Sequence, residues 1–96
     1  MISREDFIFT IGFDGAVAVV DGRAKRQYGK LTTMELAESG LYRAAFSSAL
    51  YSKNELEMKA FIDFFNAKAG TAYTSAEQLS RLFGVNDEGL SRVLVL

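Results

Sequence analysis

The side chains that could take part in chemistry here are carboxylates, Lys, Tyr, Ser and Thr, because the sequence contains no His and no Cys. Without imidazole, the chain lacks the usual general base and the commonest metal ligand; without thiols, it lacks disulfides and a cysteine nucleophile. Catalysis by carboxylates alone needs two acids in different environments within a cleft, which a chain of 96 residues rarely encloses. The sequence therefore predicts no catalytic residue, no cofactor, no metal ligand and no enzymatic activity.

A local cluster of cations is the most distinct polar feature. Residues 22–34 contain four basic residues and no acid, although the whole chain has 11 Lys and Arg against 12 Asp and Glu. The net charge of −1 gives no general attraction to nucleic acid or to an anionic membrane. If residues 14–29 form a helix, Arg23, Arg26 and Lys30 lie along one edge of it. These three residues are candidate contacts for an anion or an acidic partner.

The elements that would position these residues are predicted from helix start and stop signals. The chain has no Pro and eight Gly, so glycine is the main helix terminator available, and Ser, Thr, Asp or Asn can cap the starts. The predicted helices occupy residues 3–12, 14–29, 32–40, 41–51, 52–70, 74–84 and 86–96. The predicted caps are Ser3, Asp14, Thr32, Ser52, Thr74 and Asn86, and the predicted ends are Gly12, Gly29, Gly40, Gly70 and Gly84. This pattern predicts one all-α domain over residues 1–96, a compact bundle of about five to seven short helices.

Residues 7–20 also fit a second interpretation. Phe7, Phe9, Ile11 and Phe13 alternate with other residues up to an Asp14-Gly15 pair, and a Val-rich segment follows. Asp-Gly between β-forming segments is a strong hairpin signal. In that case Phe13 would pair with Ala16, Ile11 with Ala18, and Phe9 with Val20. The alternative fold is therefore α+β, with an N-terminal β-hairpin over residues 7–20.

Residues 74–93 resemble the helix-turn-helix segment of many transcription regulators. Ser80 matches the small residue of the first helix, Gly84 matches the turn glycine, and Leu79, Val85, Leu90 and Val93 match the apolar positions between the helices. The resemblance implies a DNA-binding regulator, with the second helix in the major groove. The residues that would face DNA are Arg81, Asn86, Ser91 and Arg92, together with the acids Asp87 and Glu88.

The function that we favour from the sequence is a small binding or interaction domain. Its hydrophobic content of 49% is high for 96 residues, so some apolar side chains are expected to remain exposed as a contact patch. The expected partner is another protein or a second copy of the chain, with nucleic acid as the alternative. The apolar segment at residues 7–20 is too short to span a bilayer and lacks the positive N-terminal flank of a secretory signal. The sequence therefore predicts a cytoplasmic protein without a membrane segment.

Overall fold

The computed structural model describes residues 2–85, 90 and 92–96. Within these residues the chain forms six helices and three strands, with principal extents of 34 × 26 × 21 Å. The elements in chain order are α1 (Arg4–Ile8), β1 (Thr10–Asp14), β2 (Val17–Val20), α2 (Gly22–Tyr28), α3 (Thr33–Glu38), α4 (Tyr42–Ser52), α5 (Glu55–Ala69), α6 (Ala76–Phe83) and β3 (Arg92–Val95). The fold is mostly helical with a small sheet, so the α+β alternative fits and the all-α prediction is wrong for the sheet.

The three strands form one sheet in the order β1-β2-β3. β1 and β2 are antiparallel and make a hairpin, whereas β3 pairs in parallel with β2. The central strand is therefore β2, and the last strand of the chain lies at one edge. Helices α2 to α6 lie in the chain between the two parallel strands.

The predicted helix over residues 14–29 is wrong in its first half. Val17–Val20 is a strand, and the helix begins only at Gly22, where the Asp21 side chain accepts hydrogen bonds from the N–H groups of Arg23 and Ala24. Three of the four residues of β2 are Val, whose branched side chains suit a strand better than a helix. The same preference ends the first helix early, because α1 closes at Phe9 and β1 already occupies the predicted stop at Gly12.

The hairpin has a different register from the predicted one. Asp14 pairs with Val17 and Phe13 with Ala18, so the turn consists of Gly15 and Ala16. Gly15 has a φ of +59°, a conformation that glycine adopts without a Cβ clash. The register then shifts between Thr10 and Gly12, which leaves Ile11 as the extra residue of a β-bulge.

The helix signals are more accurate in the rest of the chain. The capping box of Thr32 with Glu35 is confirmed, and Gly70 and Gly84 end α5 and α6 in the left-handed conformation. Two caps are displaced from their predicted positions. Asn54, instead of Ser52, caps α5, and Ser75 with Gln78, instead of Thr74 with Glu77, caps α6.

The core is organised around α4, which packs against α1, α3, α5 and α6. Its six consecutive residues Ala44–Ala49 are buried, and the small ones among them allow neighbouring helices to approach closely. On the α5 and α6 side, Phe46 lies 6.1 Å from Phe61 and 5.6 Å from Phe83, measured between ring centroids. One continuous cluster of buried residues therefore connects α1, α3, α4, α5 and α6 with Val20 of the sheet.

Candidate interaction surface

The two faces of the central strand β2 have opposite environments. On the inner face, Ala18 and Val20 of β2 are both 0% exposed. On the outer face, the neighbouring residues Val17 and Val19 are only half-buried, and Leu94 of β3 is 53% exposed. Because successive side chains of a strand point to opposite faces, this contrast places the helices on one side of the sheet and leaves the other side open.

Cross-strand pairing defines the rows of the outer face. Asp14, Val17 and Arg92 form the row nearest the hairpin turn, and Gly12, Val19 and Leu94 form the next row. The Leu96 N–H donates to the Val20 carbonyl at 2.9 Å, so the alternation continues and Leu96 also lies on this side, 68% exposed. We call this surface the outer face and define it as residues Gly12, Asp14, Val17, Val19, Arg92, Leu94 and Leu96.

The outer face has an apolar centre and opposite charges on its two edge strands. Val17 and Val19 form the centre on β2, while exposed Asp14 lies on β1 and exposed Arg92 lies on β3. Within the part of the chain that the structure describes, neither of these two charged groups forms a salt bridge.

Gly12 leaves a notch beside Val19 on the outer face. A Cβ atom built on Gly12 would have no heavy atom within 4 Å outside its chain neighbours. The β1 side of Val19 is consequently not covered by a side chain, whereas Leu94 covers the β3 side. The outer face thus has a depression on β1 and a projection on β3.

Arg43 fixes β1 to the helical layer. Its Nε donates to the Phe83 carbonyl at 2.9 Å, its Nη1 donates to the Thr10 carbonyl, and its Nη2 lies 3.5 Å from the Gly84 carbonyl. Two of these carbonyls are at the C-terminal end of α6, where the helix dipole favours a cation. Desolvation by burial lowers the pKa of the Arg43 guanidinium from its usual range. The guanidinium remains charged at neutral pH and links the bulge of β1 to α6.

The end of β3 approaches α2 closely at Gly22. A Cβ on this residue would lie 2.5 Å from the Leu96 carbonyl oxygen and 2.9 Å from Val95 Cγ1. Only a glycine leaves room for the strand at that point. Gly22 therefore permits the close approach of β3, which its pairing with β2 places at the edge of the sheet.

The predicted basic patch is exposed but is not one helical edge. Arg23, Arg26 and Lys30 are all exposed, while Lys25 forms a salt bridge of 2.6 Å with Asp6. Because α2 spans only Gly22–Tyr28, Arg23 lies in its first turn and Lys30 lies beyond its end. Arg23 and Arg26 remain three residues apart on α2, but Lys30 is not part of the helix, so the three cations do not share one helical edge as the longer predicted helix requires.

The described residues of the helix-turn-helix resemblance belong partly to a helix, α6, and partly to a strand, β3. The first helix and its turn are present as α6 and Gly84, and Arg81 is exposed on α6. The predicted second helix is wrong at its end, because Arg92 and Val93 belong to β3. Asn86, Asp87, Glu88 and Ser91 lie outside the described residues. Since β3 is a run of apolar and β-branched residues paired with β2, its strand propensity and sheet contacts outweigh the helical pattern.

The basic residues of the two candidate patches are separated along the sheet. Arg92 pairs with Val17 at the start of the parallel ladder, whereas α2 begins just past the other end of β2. These two ends of β2 are three residue steps apart, or about 10 Å. The structure therefore does not combine Arg92 with Arg23 in one basic row.

Three of the cavities that are lined by described residues have volumes of about 200 Å³ or more, and none of the three combines catalytic groups in an enclosed site. An open groove of about 640 Å³ runs beside α5 and contains Glu55, Lys59 and Asp63 together with Met58 and Tyr73. Asp63 is already paired with Lys59 at 3.1 Å. A smaller cavity of about 210 Å³ lies between β1, α2 and α4, and one of about 200 Å³ lies where α4 meets α5.

Within residues 2–85, 90 and 92–96, no group of three or more acidic residues is arranged to hold a metal ion. In the same residues, no helix is long and apolar enough to cross a membrane.

Several residues of structural importance have no clear sequence signal. Arg4 joins three elements by donating to the carbonyls of Gly29 and Leu31 and to the Ser48 hydroxyl. Asn66 fixes the loop before α6, since its amide contacts Thr71 and both backbone groups of Tyr73. Strand β3 did have a signal, because residues 92–96 read Arg-Val-Leu-Val-Leu, a β-forming run.

Comparison with models of protein families, with curated proteins and with solved structures gave no match.

Proposed function

We propose that this chain is a small interaction domain that binds protein through the outer face of its sheet. The single observation that supports this proposal is the exposure of Leu94 and Leu96 beside the half-buried Val17 and Val19. An apolar surface that continues across neighbouring strands is typical of a contact site, whereas isolated exposed apolar residues are common on any protein.

The chemistry of the outer face suits a protein partner. Its centre consists of aliphatic side chains, which bind other apolar side chains by excluding water. Its charged residues lie at the margin, as in protein interfaces with an apolar core and a polar rim. The outer face carries one cation and one acid, so it offers no basic surface for a phosphate backbone.

A photo-crosslinking experiment tests this proposal in cells that express the protein. A photoreactive phenylalanine analogue replaces Leu94 in one variant and Leu56 in a matched control. Leu56 lies on α5 and is 79% exposed, against 53% for Leu94, so solvent access alone favours crosslinking at the control position. We expect discrete protein adducts from position 94 and much weaker adducts from position 56.

A second substitution separates specific contact from random collision. Val19→Asp places a charge in the centre of the outer face, and we expect it to remove the adducts formed from position 94. Adducts of equal yield at both positions, or adducts at position 94 that survive Val19→Asp, would contradict the proposal.

A further inference from the structure

We infer that the partner of the outer face is a second copy of this chain, bound face to face about a two-fold axis that runs parallel to the strands. This inference rests on the proposed function and specifies its partner. Three features of the outer face support it: the charges on the edge strands, the notch at Gly12, and the order of the strands. Each of them complements the same surface rotated by 180° about that axis.

The strand order determines which residues meet. A two-fold axis parallel to the central strand places β2 opposite β2 of the second copy, and it places β1 opposite the second copy's β3. The rows stay aligned because the rotation does not reverse the strand direction. Sheets packed in this aligned manner lie about 10 Å apart, with interdigitating side chains between them.

The first row then forms two ion pairs. Asp14 of each copy faces Arg92 of the other, since both residues pair with Val17 in the same row. The distance of about 10 Å between stacked sheets is within the combined reach of an Asp and an Arg side chain. Within the described residues these two side chains have no salt-bridge partner, so dimerisation provides one for each of them.

The second row supplies complementary shape. Leu94 of one copy faces Gly12 of the other, because these residues flank Val19 on opposite strands. The space around Gly12 is empty to 4 Å from a Cβ position and can accept the projecting leucine. Val17 and Val19 of the two copies meet at the centre and exclude water between the pairs of edge contacts.

The contact is small, so the dimer is weak. The sheet has only three strands, and paired residues extend over four positions of β2. Interfaces well below the standard size of about 1,600 Å² form transient complexes. We expect a dissociation constant on the order of 0.1 mM, which makes the protein monomeric when dilute and dimeric when concentrated.

Sedimentation equilibrium of the purified chain, between about 10 μM and 1 mM, tests the inference through a charge exchange. Arg92→Asp and Asp14→Arg each replace two attractive pairs by two repulsive ones, and each is expected to weaken dimerisation roughly tenfold. The double variant Asp14→Arg/Arg92→Asp restores both pairs in reversed order, so its dissociation constant should return to within about threefold of the unmodified chain.

Two further variants make the result specific. Lys59→Glu changes the net charge by the same amount as Arg92→Asp but lies on α5, and it should leave dimerisation unchanged. Gly12→Val fills the notch with a strand-forming residue and should weaken dimerisation at least tenfold without unfolding the chain. Circular dichroism of each variant verifies that it is folded.

Several outcomes would overturn the inference. A strict monomer at 1 mM excludes the second copy as partner, and additive effects of the two charge reversals without rescue exclude the face-to-face geometry. Pairing through the free edge of β3 would produce the latter result, because Asp14 lies on the opposite edge of the sheet. The proposed function and the dimer can fail independently of each other. Crosslinked adducts from Leu94 with a mass other than twice that of the 10.6 kDa chain would support binding of a protein partner but exclude a second copy as that partner.

Discussion

The two faces of β2 consist of nearly the same side chains but lie in different environments. Ala18 and Val20 are completely buried against the helices, whereas Val17 and Val19 are half-buried on the open side. The inner pair contributes to the free energy of folding through the core that α4 organises. The outer pair contributes less to folding, because it is only half-buried and none of the described helices covers it. If the proposed function is correct, apolar residues of a single strand supply both the stability of this small protein and its binding surface.

The two edge strands of the sheet, β1 and β3, also differ in how they contact the rest of the protein. β1 is fixed to the helical layer by Arg43 and contains a bulge, while β3 passes close to Gly22 and leaves Leu94 exposed. Exposed apolar edge strands favour association with other chains. Substitutions on the inner side should therefore change stability, and substitutions on the outer face should change association.

Truncation of a fully buried phenylalanine gives the largest expected effect on stability. Phe46→Ala removes a ring that contacts Phe61 and Phe83 at the centre of the core, and it should lower the free energy of unfolding by about 3–5 kcal/mol. Leu94→Ala on the outer face should change it by less than about 0.5 kcal/mol. Urea unfolding followed by circular dichroism measures both values. Similar losses for the two variants would show that the outer face is part of the core.

Removal of the Arg43 guanidinium tests the link between the sheet and the helices. Arg43→Met retains much of the side-chain volume but leaves the carbonyls of Phe83 and Thr10 without their donor. We expect a loss of about 2–3 kcal/mol, since hydrogen bonds from a charged group are among the stronger ones. Arg81→Met, at an exposed position of α6, is the matched control and should cost less than about 0.5 kcal/mol. An equal effect of the two variants would rule out the linking role of Arg43.

Alanine substitutions at two glycines distinguish the cost of a strained backbone from the effect of adding a side chain in open space. Gly84 has a φ of +66°, so Gly84→Ala should cost about 1 kcal/mol although the space around it is empty. Gly12 has equally open space without a positive φ, so Gly12→Ala should be neutral or slightly stabilising. Thermal unfolding of the two variants distinguishes these cases. A destabilising Gly12→Ala would mean that the notch in the outer face is less open than its geometry shows.

The smallest effect that we expect is an acid sensitivity on the helical side. Hydrogen bonds from the backbone and side chain of Thr32 lower the pKa of Glu35 below its usual 4.5. A group with a lowered pKa in the folded state stabilises the protein above its unfolded pKa and loses this effect as the pH falls through the folded pKa. NMR titration of the Glu35 carboxylate should give a midpoint below 4.5. The stability difference between the unmodified chain and Glu35→Gln should shrink from pH 6 to pH 3, and an undiminished difference would contradict the role of the ionised carboxylate.

The sequence predicted the helical part of the fold well because its signals there are local. Gly70 and Gly84 end their helices as expected, and the capping box at Thr32 is formed by side chains only three residues apart. At residues 14–20 two local signals conflicted, since Asp14 could cap a helix or precede a hairpin turn. The conflict is resolved by burial of Ala18 and Val20 against helices that come later in the chain.

The outer face could not be predicted because it depends on contacts between distant parts of the chain. Asp14 and Arg92 belong to one row only after β3 has paired with β2 in parallel, and that pairing joins the two ends of the sequence. The bulge at Ile11 also shifts the register of the hairpin by one residue, and the residues of the turn do not predict this shift. An apolar contact patch was expected from composition, whereas its position follows from the sheet topology.

An NMR dilution series of the uniformly labelled chain tests the central claim most directly. Amide chemical shifts recorded between about 1 mM and 20 μM report which surface is involved in self-association. We predict that the largest concentration-dependent shifts occur at Gly12, Val19 and Leu94, and that the exposed side of α5 around Lys59 is unaffected. Concentration-independent shifts in the sheet, or larger shifts along α5, would contradict the assignment of the outer face as the site of self-association.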